Sequence, residues 1–250
     1  MKKVVLSSML LSSVLLLGSV VSHADATSAE TDLNITIKPD KGSEETGGPY
    51  KGKLAIVHKP TTFDFQGTAT KGQLILNNEN PNSQQQYISV SDDRATDDAK
   101  LGKWILEGKL SAIDKLDENG NVIPRDASAD QTTDLQGSLV INKSKVLDYA
   151  IGTNEVTVNG VTDLDPAAVD PAAAESTTTQ FGNAGEDALT LPAGSPDATR
   201  IMTSNADTKN GAATNLGDNK FIIKAGSAVN DTDNDFHYHG VVTWTVASQP

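Results

Sequence analysis

The sequence predicts an all-β fold, either an antiparallel β-sandwich or two small β-lobes, with long irregular loops. Three observations support this prediction. Short runs in which apolar and polar residues alternate recur along the chain, and clusters of glycine, asparagine, aspartate and proline separate them. No long segment keeps a helical period. Many short strands with turn signals between them are typical of sandwiches and barrels.

The alternation predicts strands along most of the chain. In order, the runs are residues 33–37, 54–57, 63–65, 73–76, 87–90, 103–113, 135–141, 155–161, 220–224 and 236–247. Residues 163–219 have few large apolar side chains, so we expect long loops there, with two weak strands near residues 177–181 and 199–203. Residues 167–175 allow one short helix at most, because prolines flank or interrupt them.

Residues 1–24 have the pattern of a secretory signal peptide. Lys2 and Lys3 form a positive n-region, residues 4–21 are mostly apolar, and small residues precede a cleavage site after Ala24. We therefore expect a secreted protein. Residues 25–50 are predicted to be a flexible segment that carries the first strand, and residues 51–250 the main domain.

Composition excludes several classes of partner and site. The 250 residues include 20 basic and 33 acidic side chains, a net charge of −13. Binding to nucleic acid needs a basic surface, and an anionic membrane would repel the chain, so we expect neither nucleic-acid binding nor membrane insertion. The chain has no cysteine, which excludes disulfides, thiolate zinc sites and a cysteine nucleophile.

The two tryptophans of the chain stand in the same local pattern. Trp104 and Leu106 lie two positions apart, as do Trp244 and Val246, so each pair shares one face of a strand. The rings could pack two sheets together as core residues, or serve as platforms on which sugar rings stack. We also expect the two tryptophan strands to lie side by side.

At these residues the sequence resembles the WxL-domain surface proteins of low-GC Gram-positive bacteria. Residues 54–65 are similar to an early strand and a proline-then-F-D-F segment of that family, and residues 86–94 to its strand and D-x-R turn. Residues 104–106 match the first W-x-L motif. Tyr238, Trp244 and Pro250 match the distal motif at the family spacing, with Val246 where leucine is usual.

The resemblance implies non-covalent attachment to the cell wall, on the cell surface, by binding peptidoglycan and without enzymatic activity. The residues it points to for ligand binding are Trp104, Leu106, Tyr238, Trp244 and Val246. It also implies partners among other WxL-locus products, including a membrane-anchored protein of the DUF916 type, and adhesion to host matrix. The alternative class is an adhesin or a structural subunit of a surface complex that binds other proteins or host matrix.

Charge limits how a wall could be bound. Anionic teichoic polymers repel an acidic protein, so binding must come from stacking, hydrogen bonds to glycan or stem peptide, or bridging cations. We expect retention to depend weakly on salt below ~0.5 M. A wall hydrolase would need two close carboxylates, and the sequence gives no positive sign of such a pair.

Other candidate sites are weaker. Alternating oxygen ligands at Asp231, Asp233 and Asp235 make calcium the one cofactor candidate, although the glycine and glutamate of an EF-hand loop are missing. His237 and His239 share a strand face that could suit zinc, with His58 to complete the site, but surface histidines are the expectation. A further acidic loop is expected to be merely solvated; its members are Asp92, Asp93, Asp97 and Asp98.

Overall fold

A computed structural model of the chain describes residues 28–31, 50–67, 74–123, 135–152, 155–158, 161–164, 169–224 and 237–249. These ranges consist of strands and loops with one 3-10 turn at Gln84–Gln86, so the all-β prediction is confirmed. No helix in the described part of the chain has the length and apolar character needed to cross a membrane. The predicted signal peptide, the predicted strand at 33–37 and the calcium candidates Asp231, Asp233 and Asp235 lie outside the described residues.

Seventeen strands are described. In chain order they are β1 (Ser28–Thr31), β2 (Leu54–His58), β3 (Leu74–Asn77), β4 (Tyr87–Asp92), β5 (Lys103–Leu110), β6 (Asp114–Leu116), β7 (Gly137–Asn142), β8 (Val146–Tyr149), β9 (Glu155–Val158), β10 (Val161–Leu164), β11 (Thr179–Phe181), β12 (Ala188–Pro192), β13 (Thr199–Asn205), β14 (Asn210–Asn215), β15 (Asn219–Ile223), β16 (His237–His239) and β17 (Val242–Ser248).

The strands pair antiparallel in three larger sheets and two small ones. The tryptophan sheet has the order β1-β17-β5-β13-β11, the β4 sheet the order β2-β4-β14-β8, and the β7 sheet the order β12-β7-β15-β3. Strands β9 and β10 form one two-stranded sheet, and β6 and β16 form the other. Most strands that pair in the three larger sheets are distant in sequence, so long-range strand pairing holds the domain together.

One apolar core joins the three larger sheets. Leu106 of the tryptophan sheet, Ile88 of the β4 sheet and Ile141 of the β7 sheet are all fully buried in it. The strands of these sheets alternate between buried and more exposed residues, as in β5 and β12, which is the period expected of strands that cover a core with one face. Because the three larger sheets share this main core, the arrangement favours packed sheets over the two separate β-lobes that the sequence also left open.

The β4 sheet is buried on both faces. All six residues of β4 are buried, and so are the four central residues of β14. The face turned away from the main core packs a second apolar cluster that includes Tyr149, Leu147 and Val169. The Tyr149 ring lies against Gly211, and its hydroxyl donates a hydrogen bond of 3.1 Å to the Val90 carbonyl. This sheet is consequently an inner layer.

The prediction of long loops over residues 163–219 is wrong. Four strands, β11 to β14, lie wholly in this region, and β13 and β14 are inner strands of their sheets. Strands β11 and β13 correspond to the two weak strands predicted near residues 177–181 and 199–203. Strand β14 has the sequence Asn-Gly-Ala-Ala-Thr-Asn, whose low intrinsic strand preference is overridden because small side chains fit between two packed layers. Residues 169–175 contain no helix.

The two tryptophan strands are neighbours, as predicted. Strand β17 pairs with β5 over seven residues, so that Trp244 lies opposite Gly108 and Ser248 opposite Trp104. The run predicted as one strand at 236–247 forms two strands in the structure. The first, β16, ends at His239, and the second, β17, begins at Val242. A Cβ atom built on Gly108 would lie 2.7 Å from Cζ3 of the Trp244 ring. The indole therefore occupies the space that any other residue at position 108 would need.

Replacing Gly108 with alanine should destabilise the domain. The added methyl group must displace a rigid, fully buried ring, and overpacking of this kind costs about 1–3 kcal/mol. Urea denaturation of the mature protein measures the change. The neighbouring Lys109→Ala variant is the control, since Lys109 is exposed and its loss should cost less than about 0.5 kcal/mol. Equal stability of the two variants would contradict the packing described here.

Candidate functional site

The structure brings four of the five predicted ligand-binding residues together in the core. Trp104, Leu106, Trp244 and Val246 each have 0% of their surface exposed, whereas Tyr238 is partly exposed and packs against the same cluster. Burial raises the pKa of the Tyr238 hydroxyl. Of the two roles considered for the tryptophans, the structure shows core packing. Ligand binding by these five residues stays a prediction, and in this conformation neither indole face is open to a sugar ring.

Trp104 also makes a polar contact between two sheets. Its indole N–H donates a hydrogen bond of 3.4 Å to Oδ1 of Asn210, at the start of β14. The Asn210 amide in turn donates to Oγ1 of Thr179 and Oγ of Ser204, each at 3.3 Å. Because a buried indole N–H needs an acceptor, this small polar network fixes the position of the ring and ties the tryptophan sheet to the β4 sheet.

The residue after β17 is held against the same region. The Gln249 side-chain amide donates to the Ser204 carbonyl at 2.6 Å and to the Trp104 carbonyl at 3.3 Å. Its backbone N–H donates to the Lys103 carbonyl at 3.1 Å. The distal motif is thus tied to the first one by hydrogen bonds as well as by apolar packing.

A buried ion pair lies beside the tryptophan strands, where the sequence led us to expect a solvated acidic loop. Asp92 is fully buried and Arg94 is 8% exposed. Nε and Nη2 of Arg94 donate to the two Asp92 oxygens at 2.8 and 2.7 Å, and the Gly102 N–H donates to Asp92 Oδ2 at 2.7 Å. The expectation is therefore wrong for Asp92. The two-residue spacing between Asp92, at the end of β4, and Arg94, just after it, was the signal that could have revealed the pair.

Arg94 connects three parts of the chain through its remaining donors. Nη1 donates to Oγ of Ser248 at 2.6 Å, and Nη2 donates to the Lys100 carbonyl at 2.5 Å. Gly102, which closes the loop before β5, has φ of +74°, and a Cβ there would lie 2.5 Å from the Ala206 carbonyl oxygen. The Asp92–Arg94 pair thus sets where β4 ends, where β5 begins and where β17 stops.

The three histidines considered as zinc ligands do not come together. His58, His237 and His239 belong to β2 and β16, which are in different sheets. No group of three or more histidine, aspartate or glutamate side chains suited to a metal ion occurs within the described ranges.

An open cleft of about 620 Å³ lies where four segments converge. One segment follows β5, the second runs into the start of β7, the third follows β12, and the fourth is the end of β15 with the residue after it. Sequence reasoning missed this cleft, because its residues come from four places along the chain and no local motif marks it. The side chains and backbone that define it belong to Ile113, Gln136, Ser138, Gly194, Ile222 and Lys224.

Main-chain contacts fix the walls of the cleft. The Gly194 N–H donates to the Leu110 carbonyl at 3.2 Å, and the Lys224 N–H donates to the Gln136 carbonyl at 2.8 Å. A Cβ on Gly137 would lie 2.5 Å from the Ile222 carbonyl oxygen, so two strands approach closely there. The cleft is consequently built on strand ends.

The lining chemistry favours binding. The lining includes the exposed amide of Gln136, the exposed ammonium of Lys224 and the partly exposed side chain of Ile222. None of the described residues that line the cleft is acidic, so these residues supply no pair of carboxylates of the kind that glycoside hydrolysis uses. Such a surface can donate hydrogen bonds to hydroxyl, amide or carboxylate oxygens while an apolar face rests on the aliphatic side chains.

Removing the arginine of the buried pair should be strongly destabilising. Arg94→Met leaves the Asp92 carboxylate buried without its partner, which costs about 3–5 kcal/mol in the free energy of unfolding. Lys209→Met is the matched control, because it breaks the more exposed Lys209–Asp93 pair at a cost below about 1 kcal/mol. Urea denaturation of both variants measures the difference. A loss for Arg94→Met no larger than that of the control would show that the pair does not hold the strand ends.

No protein-family model matches the sequence, and no curated protein or solved structure is significantly similar to it. The resemblance to WxL domains therefore rests on the motifs of the chain itself.

Proposed function

We propose that this protein is a non-catalytic surface protein that attaches to the cell wall by binding peptidoglycan, and that the cleft between β5, β7, β12 and β15 makes the contact. The observation that carries the proposal is the chemistry of this cleft, in which an ammonium, an amide and a hydroxyl surround aliphatic side chains with no acidic group among the described lining residues. The two W-x-L motifs and the predicted signal peptide support the location and the ligand class.

The cleft is a better candidate for contact with peptidoglycan than the two tryptophans, whose rings are fully buried. Glycan strands offer hydroxyl and N-acetyl oxygens, and stem peptides offer carboxylates. The Gln136 amide can donate to the hydroxyl and N-acetyl oxygens of the glycan, and the Lys224 ammonium can donate to the carboxylates of the stem peptide. Ile222 can pack against the C–H face of a sugar. Trp104 and Trp244 then contribute by holding the sheets in place, since their rings are fully buried.

Local contacts of this kind are compatible with an acidic protein. The net charge of −13 opposes approach to an anionic wall, so affinity must come from short-range contacts within the cleft. Short-range hydrogen bonds and apolar contacts depend less on salt than the long-range attraction between exposed charges. Weak salt dependence is therefore expected of this mode of attachment.

Co-sedimentation of the mature protein with peptidoglycan stripped of teichoic acid tests the proposal. We expect Gln136→Ala/Lys224→Ala to bind at least about tenfold more weakly, a loss of about 1.4 kcal/mol, because it removes both long polar side chains of the cleft. Gln180→Ala/Lys220→Ala is the control, because it removes the same two residue types outside the lining. Wild-type binding should change little between 0.15 M and ~0.5 M salt.

Three outcomes would count against the proposal in different ways. Absence of wild-type binding would refute peptidoglycan as the ligand. Equal binding of the cleft variant and the control variant would place the contact elsewhere on the molecule. Collapse of binding at moderate salt would indicate attachment through bulk charge.

The second candidate function is that of an adhesin or a structural subunit that binds proteins. It is favoured by Ile75, which is 51% exposed on β3, an edge strand of the β7 sheet. Ile75 lies opposite the partly exposed Ile222 of β15, so an apolar stripe begins at this edge. Retention of the protein by other surface proteins in a preparation free of peptidoglycan would support this candidate over wall binding.

A further inference from the structure

The first strand pairs with the domain at the edge of the tryptophan sheet. Strand β1 pairs with β17 in the register Ser28 to Thr245 and Thr31 to Val242. On its other side β17 pairs with β5 along its whole length. Without β1, β17 would therefore be an edge strand with unpaired backbone groups, which is a template for any extended segment.

The pairing of β1 is expected to be weak, because the strand is short and polar. The strand has four residues, Ser-Ala-Glu-Thr, with no large apolar side chain among them. The described pairing supplies a few main-chain hydrogen bonds, and the net free energy gained from each is comparable with the entropy cost of ordering one residue. A strand held in this way can be displaced and replaced.

The chain between β1 and the next strand is long enough to reach another molecule. Residues 32–53 separate Thr31 from Leu54, and a segment of that length spans up to about 70 Å when extended. The next strand, β2, is an edge strand of a different sheet. Covalent connection therefore does not oblige β1 to pair with the β17 of its own chain.

We propose that β1 exchanges between copies of this protein, so that Ser28–Thr31 of one copy adds to β17 of a second copy as the edge strand of its tryptophan sheet. The incoming segment makes the same antiparallel register that it makes within one chain, so the exchanged and unexchanged states have the same local contacts and their balance depends on protein concentration. Because the contact is heterologous, repeated exchange produces rings or open chains of copies. The inference goes beyond wall binding, since β17 is not part of the cleft.

The absence of cysteine makes the exchange directly testable. Residues 30 and 243 lie opposite each other in the register, within the reach of a disulfide when both are cysteine. Mature Glu30→Cys protein is mixed at high concentration with mature Thr243→Cys protein and then oxidised. Disulfide-linked heterodimers are counted by mass spectrometry. In this mixture a bond between residues 30 and 243 can form only between copies.

Two controls separate exchange from random oxidation. Glu30→Cys mixed with Thr190→Cys presents an exposed cysteine on β12, outside the tryptophan sheet. Ser28→Cys mixed with Thr245→Cys is a second pair in register, which keeps the test valid if one of the first variants folds poorly. We expect both in-register mixtures to give at least about tenfold more heterodimer than the Thr190→Cys mixture.

The double variant Glu30→Cys/Thr243→Cys completes the test. If exchange occurs, oxidation of dilute protein gives mainly an internal disulfide, and oxidation of concentrated protein gives linked multimers. The proposal is overturned if the double variant stays monomeric at every concentration and the in-register mixtures give no more heterodimer than the Thr190→Cys mixture. Either result leaves the peptidoglycan test unaffected.

Discussion

Packing of two fully buried indoles on one face of two adjacent strands is the constraint on which the rest of the domain depends. Trp244 lies over Gly108 of the neighbouring strand, and Trp104 lies two same-face positions further along that strand, opposite Ser248. Side chains of the β4 sheet and the β7 sheet join the same core, so three sheets meet where the two rings are. Aromatic side chains bury more apolar area than any others, and this chain has few of them.

Polar contacts then fix the register that this packing requires. The Asp92–Arg94 pair joins the end of β4 to the start of β5 and to Ser248 at the end of β17. Asn210 receives the indole N–H of Trp104 across two sheets. The residues that carry the WxL resemblance, including the aspartate and arginine of the D-x-R turn, are thus mainly architectural. A binding function must use surfaces that this architecture leaves accessible, and the cleft at the strand ends is such a surface.

The sequence predicts the features that depend on neighbouring residues better than those that depend on segments far apart in the chain. Alternation predicts β2, β4, β5 and β17, because each covers a core with apolar residues at a period of two or lies wholly inside it. It misses β14, since a strand of glycine and alanine is stable only between two layers that the sequence does not reveal. It also misassigns Asp92, whose burial depends on an arginine two residues away and on a loop closed by Gly102. The cleft is the least predictable feature, because four distant segments define it.

The accessibility of the two tryptophans to a quencher tests the central claim most directly. The chain has two tryptophans, so indole fluorescence reports on the two motifs alone. With both rings buried, acrylamide should quench the native mature protein far less than the urea-unfolded protein, and saturating stripped peptidoglycan should change neither the emission maximum nor the quenching. Quenching of the native protein at the unfolded level, or a shift in emission and protection from acrylamide when peptidoglycan is added, would contradict a core role and return the tryptophans to the ligand-binding surface.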